Sequence, residues 1–160
     1  MIGLKMKLKK LNYSNNDVIF LNIAKEIAKM SKCVSHKVGV IIVKDKRIIS
    51  TGYNGTPSGF KNCNEVFNNK DFLRDEHHDF SEKFEIHAEM NAIIFAAKNG
   101  ISIEGADVYT TLHPCNNCLK NLCNCGIRNI YYIDDYDKFE DNHLTKILLE
   151  NSGINLIKVS

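Results

Sequence analysis

The sequence DVYTTLHPCNNC at residues 107–118 passes from a strand pattern directly into the start of a helix. Its first half is rich in β-branched and aromatic residues, which favour an extended strand. Pro114 stands where the first turn of a helix tolerates proline, and Gly126 is a typical residue just after a helix end. A strand that leads into a helix is the repeating unit of layered α/β domains. The stretch therefore predicts a sheet covered by helices.

Strand and helix patterns alternate on both sides of this stretch. Residues 85–99 carry apolar side chains at helical spacing and are followed by Gly100, which predicts a helix that ends there. The other predicted elements are a first helix from residues 14–17 to about Lys32, a hairpin of strands at 38–43 and 47–51, a strand at 130–133, a helix at 143–151 and a last strand at 154–159. We expect an α/β fold with a mixed sheet that has helices on both faces.

Length and composition fit one folded domain over residues 1–160. The chain is 44% hydrophobic and 25% charged, which are ordinary values for a globular protein with a real core. Residues 1–13 are interpreted as a basic tail. Residues 55–84, which are rich in Gly, Asn and charge, are interpreted as a long loop or insertion that can hold a short helix.

The net charge of +2 gives no electrostatic footprint for a nucleic-acid polymer, so a small substrate is favoured. No apolar run approaches the roughly 18 residues that a membrane helix needs, and none follows the basic N-terminus as in a secretory signal. The sequence therefore predicts a cytoplasmic protein without a membrane partner. In a reducing compartment, closely spaced cysteines are more often metal ligands than disulfides.

Three residues have the types and the spacing of a catalytic zinc site. Cys115 and Cys118 lie three residues apart at a helix start, where the helix dipole favours thiolates, and His87 opens the preceding helix. Three protein ligands leave the fourth zinc position free, as in catalytic sites. A zinc ion held in this way lowers the pKa of its bound water from 15.7 toward about 7 and so provides hydroxide at neutral pH.

Glu89 follows His87 by two residues, which is about 200° around a helix, so it is expected to flank the metal rather than bind it. Its expected role is to move protons from the water to a ring nitrogen and to a leaving amino group. His-x-Glu followed by Pro-Cys-x-x-Cys is the signature of zinc-dependent nucleobase deaminases. The pattern predicts hydrolytic deamination.

Two other interpretations of these cysteines stay open. Cys115 and Cys118 could form a four-cysteine structural zinc site with Cys123 and Cys125, although the helical spacing places Cys125 against the sheet and favours inert packing. A protein from another class, a zinc-stabilised binding module without catalysis, would keep the same ligands. The intact Glu89 favours an enzyme.

Most of residues 31–137 resemble deoxycytidylate deaminases, especially the bacteriophage branch. The segments that carry this resemblance are SKC at 31–33, KVG at 37–39, the stretch from Arg47 through GYNG at 52–55 to Pro57, IHAEMNA at 86–92, NG at 99–100, SIEGA at 102–106 and TL with PC at 111–112 and 114–115. The resemblance implies a three-layer α/β/α cytidine deaminase-like fold with a central mixed sheet of about five strands. It also implies conversion of dCMP and water to dUMP, which feeds thymidylate synthesis, and ammonia.

The resemblance also implies a substrate contact and a regulatory region. Asn54 is expected to contact the nucleotide sugar, although a turn residue between two glycines is a competing interpretation. The family is typically hexameric, is activated by dCTP and is inhibited by dTTP with Mg²⁺. The region expected to respond to these nucleotides is Gly52, Tyr53, Asn54 and Gly55.

A second, structural zinc is predicted at Cys33, Cys63, His77 and Glu85. These residues are two otherwise unexplained cysteines, a histidine and a carboxylate, and four protein ligands are the pattern of a structural site. The resemblance supports this set, because phage deoxycytidylate deaminases use matching positions. His78 is the alternative to His77 if the loop shifts by one residue. The competing interpretation is two buried cysteines beside a solvated histidine.

Two departures from the family pattern affect the expectations. His113 stands where Ser or Glu is commoner and could alter the pocket rim, and Lys98 stands where close phage relatives carry Arg, which could weaken phosphate contacts. Other deaminases with the same zinc chemistry also stay open, with cytosine, cytidine, dCTP or adenosine in tRNA as the substrate.

Overall fold

The computed structural model describes residues 13–67, 74–136 and 143–159. The expected basic tail lies outside these residues except for its last position, and so do residues 68–73 of the expected loop. The elements in chain order are α1 (Asn15–Ala28), β1 (Gly39–Lys44), β2 (Arg47–Tyr53), α2 (Cys63–Val66), α3 (Arg74–Phe84), α4 (Ala88–Lys98), β3 (Asp107–Leu112), α5 (Asn116–Asn124), β4 (Asn129–Asp134), α6 (His143–Ser152) and β5 (Asn155–Lys158).

Five strands form one mixed sheet in the order β2-β1-β3-β4-β5. β1 pairs antiparallel with both β2 and β3, whereas β3, β4 and β5 run parallel to one another. The parallel strands are joined through α5 and α6, which is how parallel neighbours must be connected. The mixed five-stranded sheet expected from the sequence is confirmed.

The two faces of the sheet bury separate apolar clusters. β1 is buried along almost its whole length, and alternate residues point to opposite faces: Val40 and Ile42 pack toward α4 and α5, while Ile41 and Val43 pack toward α1. A strand buried on both sides reads as a continuous apolar run rather than an alternating one. The three-layer α/β/α arrangement is therefore confirmed.

Helix α1 is fixed at its start and shorter than expected. Ser14 and Asp17 form a capping box, in which the Ser14 backbone N–H donates to Asp17 Oδ2 at 2.6 Å. The helix ends at Ala28 rather than near Lys32. The following turn carries Ser31, whose buried hydroxyl donates to the Asn54 carbonyl at 2.8 Å and ties the chain to the end of β2.

Within the expected loop at residues 55–84, α2 is the short helix that the sequence allows, whereas the second half contains α3, an 11-residue helix that was not expected. This helix lacks an aliphatic stripe and packs instead through aromatic rings and one buried histidine. Phe80 contacts both Phe67 and Phe84, with ring centroids 5.3 and 5.4 Å apart, and Phe67 contacts His77 at 5.3 Å. Hydrophobic periodicity therefore gives little sign of it.

Two glycines allow helices to approach the sheet closely. A Cβ atom at Gly39 would lie 2.1 Å from the Ala24 carbonyl oxygen of α1, and one at Gly52 would lie 2.2 Å from the Ala88 carbonyl oxygen of α4. The position of α4 on the sheet thus depends on Gly52. Within the described ranges, no helix combines the length and the apolar character needed to cross a bilayer.

Candidate active site

The N-terminal ends of α4 and α5 bring the catalytic candidates together. Both helices begin later than the sequence predicts, at Ala88 and Asn116, so that His87 and Cys115 are their N-cap residues. The His87 position is fixed by a backbone bridge, in which Gly55 and Ile86 exchange hydrogen bonds of 2.8 and 3.1 Å. Cys115 follows β3 after two buried residues. Each ligand candidate therefore stands where a rigid element begins.

His87, Cys115 and Cys118 form a compact cluster. His87 Nδ1 lies 3.5 Å from Cys115 Sγ and 3.4 Å from Cys118 Sγ, and all three ligand atoms lie within 4.8 Å of one another. Cys118 is buried, Cys115 is half-buried and His87 is exposed, so the cluster opens on one side. One nitrogen and two sulfurs at this spacing are a donor set that suits zinc.

The protonation of this cluster matters for metal binding. The hydrogen bond to the Cys115 sulfur raises the pKa of His87 to about 9, although partial removal of the ring from water acts in the opposite direction. The pKa of Cys115 is lowered to about 4, first by the hydrogen bond from Cys118 and then by His87. The same sulfur contact, together with burial, raises the pKa of Cys118. Without metal, the cluster is therefore an imidazolium, a thiolate and a thiol.

Glu89 is buried beside the cluster without belonging to it. Its side chain is only 5% exposed, and burial raises the pKa of the carboxyl group, against an opposing effect of His87. Among the described residues, the ligand cluster of His87 contains only the two cysteines. The expected role of Glu89 beside a metal stays a prediction.

A cavity of about 340 Å³ runs along both predicted metal sites. It is lined by His87, Cys115 and Glu89 and by Cys33 and His77 of the second site. Its volume is that of a pocket for a small molecule.

Three of the four residues predicted to hold the second zinc form a cluster, which does not include Glu85. His77 Nε2 lies 3.3 Å from Cys63 Sγ and 3.6 Å from Cys33 Sγ, and all three residues are buried. Glu85 Oε2 lies 3.6 Å from Cys33 Sγ and accepts a hydrogen bond from the Ser81 hydroxyl. The structure thus places His77, and not the exposed His78, in the cluster.

In the second cluster, burial shifts the pKa values of the two cysteines and the histidine so that their neutral forms are favoured. Burial raises the pKa of Cys33 to about 12 and also raises the pKa of Cys63, while burial lowers the pKa of His77. Glu85 Oε1 is buried and has no hydrogen-bond partner in the described parts of the chain. An unpartnered carboxylate oxygen beside two thiols and an imidazole is an acceptor with room for a cation.

Asn54 lines the cavity and braces a neighbouring loop. Its Oδ1 accepts from the Val38 backbone N–H, and its Nδ2 donates to the His36 carbonyl, both at 2.8 Å. Each amide atom keeps further hydrogen-bonding capacity. Its predicted contact with a nucleotide sugar stays a prediction.

The other residues of interest from the sequence are two further cysteines, His113 and Lys98, and they lie in different parts of the fold. Cys123 in α5 and Cys125 at its C-cap lie in neither described cluster, and both pack against the edge of the core. His113 is buried on the cavity wall, where Nδ1 lies 2.8 Å from the Pro114 carbonyl and therefore acts as the donor. Lys98 is the exposed last residue of α4, at the helix end opposite to the cavity.

Several cavity residues were not singled out from the sequence. They are Ser35, His36, Arg74, Ser81 and Tyr136. The signal that could have found two of them is the i, i+3, i+4, i+7 spacing of Arg74, His77, His78 and Ser81, which share one face once residues 74–84 are helical.

The fold and the two-cysteine, one-histidine cluster define a class of enzyme. Residues 14–134 match the family described as the cytidine and deoxycytidylate deaminase zinc-binding region, and the chain belongs to this family.

Individual relatives indicate which members of this family the chain resembles. The chain is 39% identical to the deoxycytidylate deaminase of Enterobacteria phage T4 over an alignment 170 positions long, gaps included, which covers 87% of each protein. It also resembles the crystal structure of dCMP deaminase from the cyanophage S-TIM5 in complex with dCMP and dUMP, at 29% identity and a TM-score of 0.73, over 92% of this chain and 100% of that one. A tRNA:A34 deaminase matches at 20% identity and a TM-score of 0.60, which shows a shared fold alone.

Proposed function

We propose that this protein catalyses the hydrolytic deamination of dCMP to dUMP and ammonia. The observation that carries the proposal is the compact cluster of His87, Cys115 and Cys118 with Glu89 buried beside it on one cavity. The similarity to phage enzymes that are named for this substrate supports the choice of dCMP. The product dUMP would then supply thymidylate synthesis.

The proposed cofactor is a zinc ion held by the same histidine and the two cysteines. The donor set fits zinc, and its open side fits the free position of a catalytic site. When bound, zinc supplies Lewis acidity that activates water near neutral pH.

Glu89 is proposed as the proton shuttle. Burial raises the pKa of its carboxyl group, which makes the carboxylate a better proton acceptor, and a carboxyl group that has accepted a proton from water can return it. It would deliver one proton to the ring nitrogen of the cytosine and help the amino group leave as ammonia. The overall reaction consumes one water and releases one ammonia, so no other reactant is needed.

The test is ammonia release from a panel of dCMP, dCTP, cytidine, cytosine and a tRNA anticodon stem. We expect dCMP to give the highest kcat/KM. Glu89→Gln should keep the fold and the zinc but lose roughly 10²- to 10⁴-fold in kcat, because an amide cannot shuttle protons. Glu150→Gln, an exposed change on α6, is the matched control. Normal turnover by Glu89→Gln would contradict the mechanism, and no turnover on any member of the panel would favour a binding module.

We also propose a structural zinc at Cys33, Cys63, His77 and Glu85. The buried cluster and the unpartnered Glu85 Oε1 support it. Such an ion would join the segment that follows α1 to α2 and α3.

Metal analysis tests the second ion. We expect two zinc ions per chain, one in Cys33→Ser, and two in the control Cys123→Ser, since Cys123 lies outside both clusters. Cys33→Ser should also lower the melting temperature, because metal binding contributes folding free energy. If the unmodified protein holds only one zinc ion and Cys33→Ser does not change its stability, the proposal is wrong. The second cluster is then a buried pair of thiols beside a histidine.

Nucleotide regulation is proposed from the family resemblance. dCTP should activate and dTTP with Mg²⁺ should inhibit, through a hexamer that shifts between two states, with residues 52–55 in the responsive region. The test is dCMP kinetics with and without each nucleotide, together with sedimentation of the free enzyme. Hyperbolic kinetics that neither nucleotide changes would contradict this proposal.

A further inference from the structure

One face of α3 lines the cavity. Arg74, His77, His78 and Ser81 are spaced i, i+3, i+4 and i+7, and all four are cavity residues. The acidic residues of the first turn, Asp75 and Glu76, do not line the cavity and are exposed. The helix therefore presents to the cavity a face that carries a positive charge and no carboxylate.

The charges along the cavity are unevenly distributed. Two acidic side chains, Glu85 and Glu89, line the cavity beside the two clusters. Arg74 is the one arginine or lysine among the cavity residues in the described ranges. No ion pair within those ranges involves Arg74. Its guanidinium is thus available to an anionic ligand.

Arg74 lines the cavity from the end of α3 that is farther along the chain from His87. The helix ends at Phe84, three residues before His87, whereas Arg74 is its first residue. Ten residues of helix span about 15 Å. In a nucleotide whose cytosine amino group is at Glu89, the 5′-phosphate is at the far end of the molecule. A phosphate at that end needs a cation on the cavity wall, and Arg74 is the arginine that the described cavity residues provide.

We propose that Arg74 is the residue that recognises the 5′-phosphate and so makes the cavity select a nucleoside monophosphate over the nucleoside. This inference rests on the proposed deamination of dCMP and adds the residue that binds the phosphate of dCMP. A phosphate monoester carries nearly two negative charges at neutral pH, and among acidic cavity groups it requires a cation. Arginine suits it because its planar fork donates two parallel hydrogen bonds to phosphate oxygens.

The test compares dCMP with deoxycytidine, which lacks only the phosphate. Arg74→Met should lower kcat/KM for dCMP by roughly 10- to 100-fold, mainly through KM, because a charge-assisted hydrogen bond to the phosphate is lost. It should leave kcat/KM for deoxycytidine unchanged. Arg74→Lys should recover part of the loss. Lys83→Met is the matched control, since it removes one positive charge from the same helix outside the cavity. It should change neither substrate.

Calorimetric binding of dUMP and deoxyuridine provides a readout that does not need turnover. We expect the unmodified protein to bind dUMP more tightly than deoxyuridine, and Arg74→Met to lose that difference. Preference for dCMP that persists in Arg74→Met, or equal losses for nucleotide and nucleoside, would overturn the role of Arg74 while leaving the proposed function intact. If the unmodified protein does not deaminate dCMP, the proposed function fails; the phosphate site would then stand only if the dUMP preference exists and depends on Arg74.

Discussion

Gly52→Ala tests whether α4 is positioned by its contact with β2. Gly52 does not have a positive φ, so alanine is excluded by space and not by backbone conformation. Its Cβ would lie 2.2 Å from the Ala88 carbonyl oxygen and 2.5 Å from the Ala92 nitrogen. Both atoms belong to the backbone of α4 and cannot rotate away. The first contact must open by about 1.2 Å to reach an ordinary separation of 3.4 Å.

This displacement has consequences for stability and for catalysis. Overpacking of a core typically costs about 1 to 3 kcal/mol, and here the clash with rigid backbone places the expected loss near the upper end, about 3 kcal/mol. The shift also moves Glu89 and the His87 N-cap, which begin the same helix. A misplacement of about 1 Å can lower the rate by about 10²-fold.

The assay is urea unfolding followed by dCMP turnover and zinc content. Gly55→Ala is the control within the same segment, because its Cβ would meet only the Tyr53 ring at 3.9 Å. It should unfold like the unmodified protein. An unfolding free energy of Gly52→Ala within about 0.5 kcal/mol of the unmodified protein would refute the reasoning. Loss of nucleotide regulation with full stability would instead favour a regulatory role for Gly52.

Two further predictions concern the metal cluster and the cavity wall. Near neutral pH, zinc binding to the His87 cluster should release about two protons, one from the imidazolium, whose pKa is about 9, and one from the Cys118 thiol, whose pKa is raised. Calorimetry in buffers of different ionisation enthalpy measures this number, and release of none would contradict the assigned protonation states. Asn54→Ala should lower the unfolding free energy by about 1 to 3 kcal/mol, because it leaves the Val38 N–H and the His36 carbonyl without partners. It should also raise KM for dCMP if the amide contacts the sugar, so a stable variant with normal KM would argue against both roles.

Much of the fold could be predicted because its core elements carry strong local patterns. β1 is a continuous apolar run, and residues 85–99 carry apolar side chains at helical spacing, so the type of both elements followed from hydrophobicity, although α4 begins at Ala88 and buries its alanines. α3 could not be found in this way, since its contacts are made by aromatic rings and His77. Its stability depends on partners that are distant in the sequence.

The catalytic candidates were identifiable from the sequence because each carries its own chemistry. A histidine, two cysteines three residues apart and a glutamate two residues after the histidine have defined ligand and proton-transfer properties wherever the chain places them. The predicted cluster forms in the structure, with His87 within 3.5 Å of both sulfurs.

Only the tertiary structure decided which residues share the cavity and how their surroundings change them. The packing of α3, α4 and the sheet buries Glu89 and so raises its pKa. The same packing places His77 rather than His78 in the second cluster and puts Arg74 on the cavity wall. Ligand chemistry is a property of the side chain, and so the sequence determined it. Burial, charge environment and distance are properties of the packed chain, and no local pattern contains them.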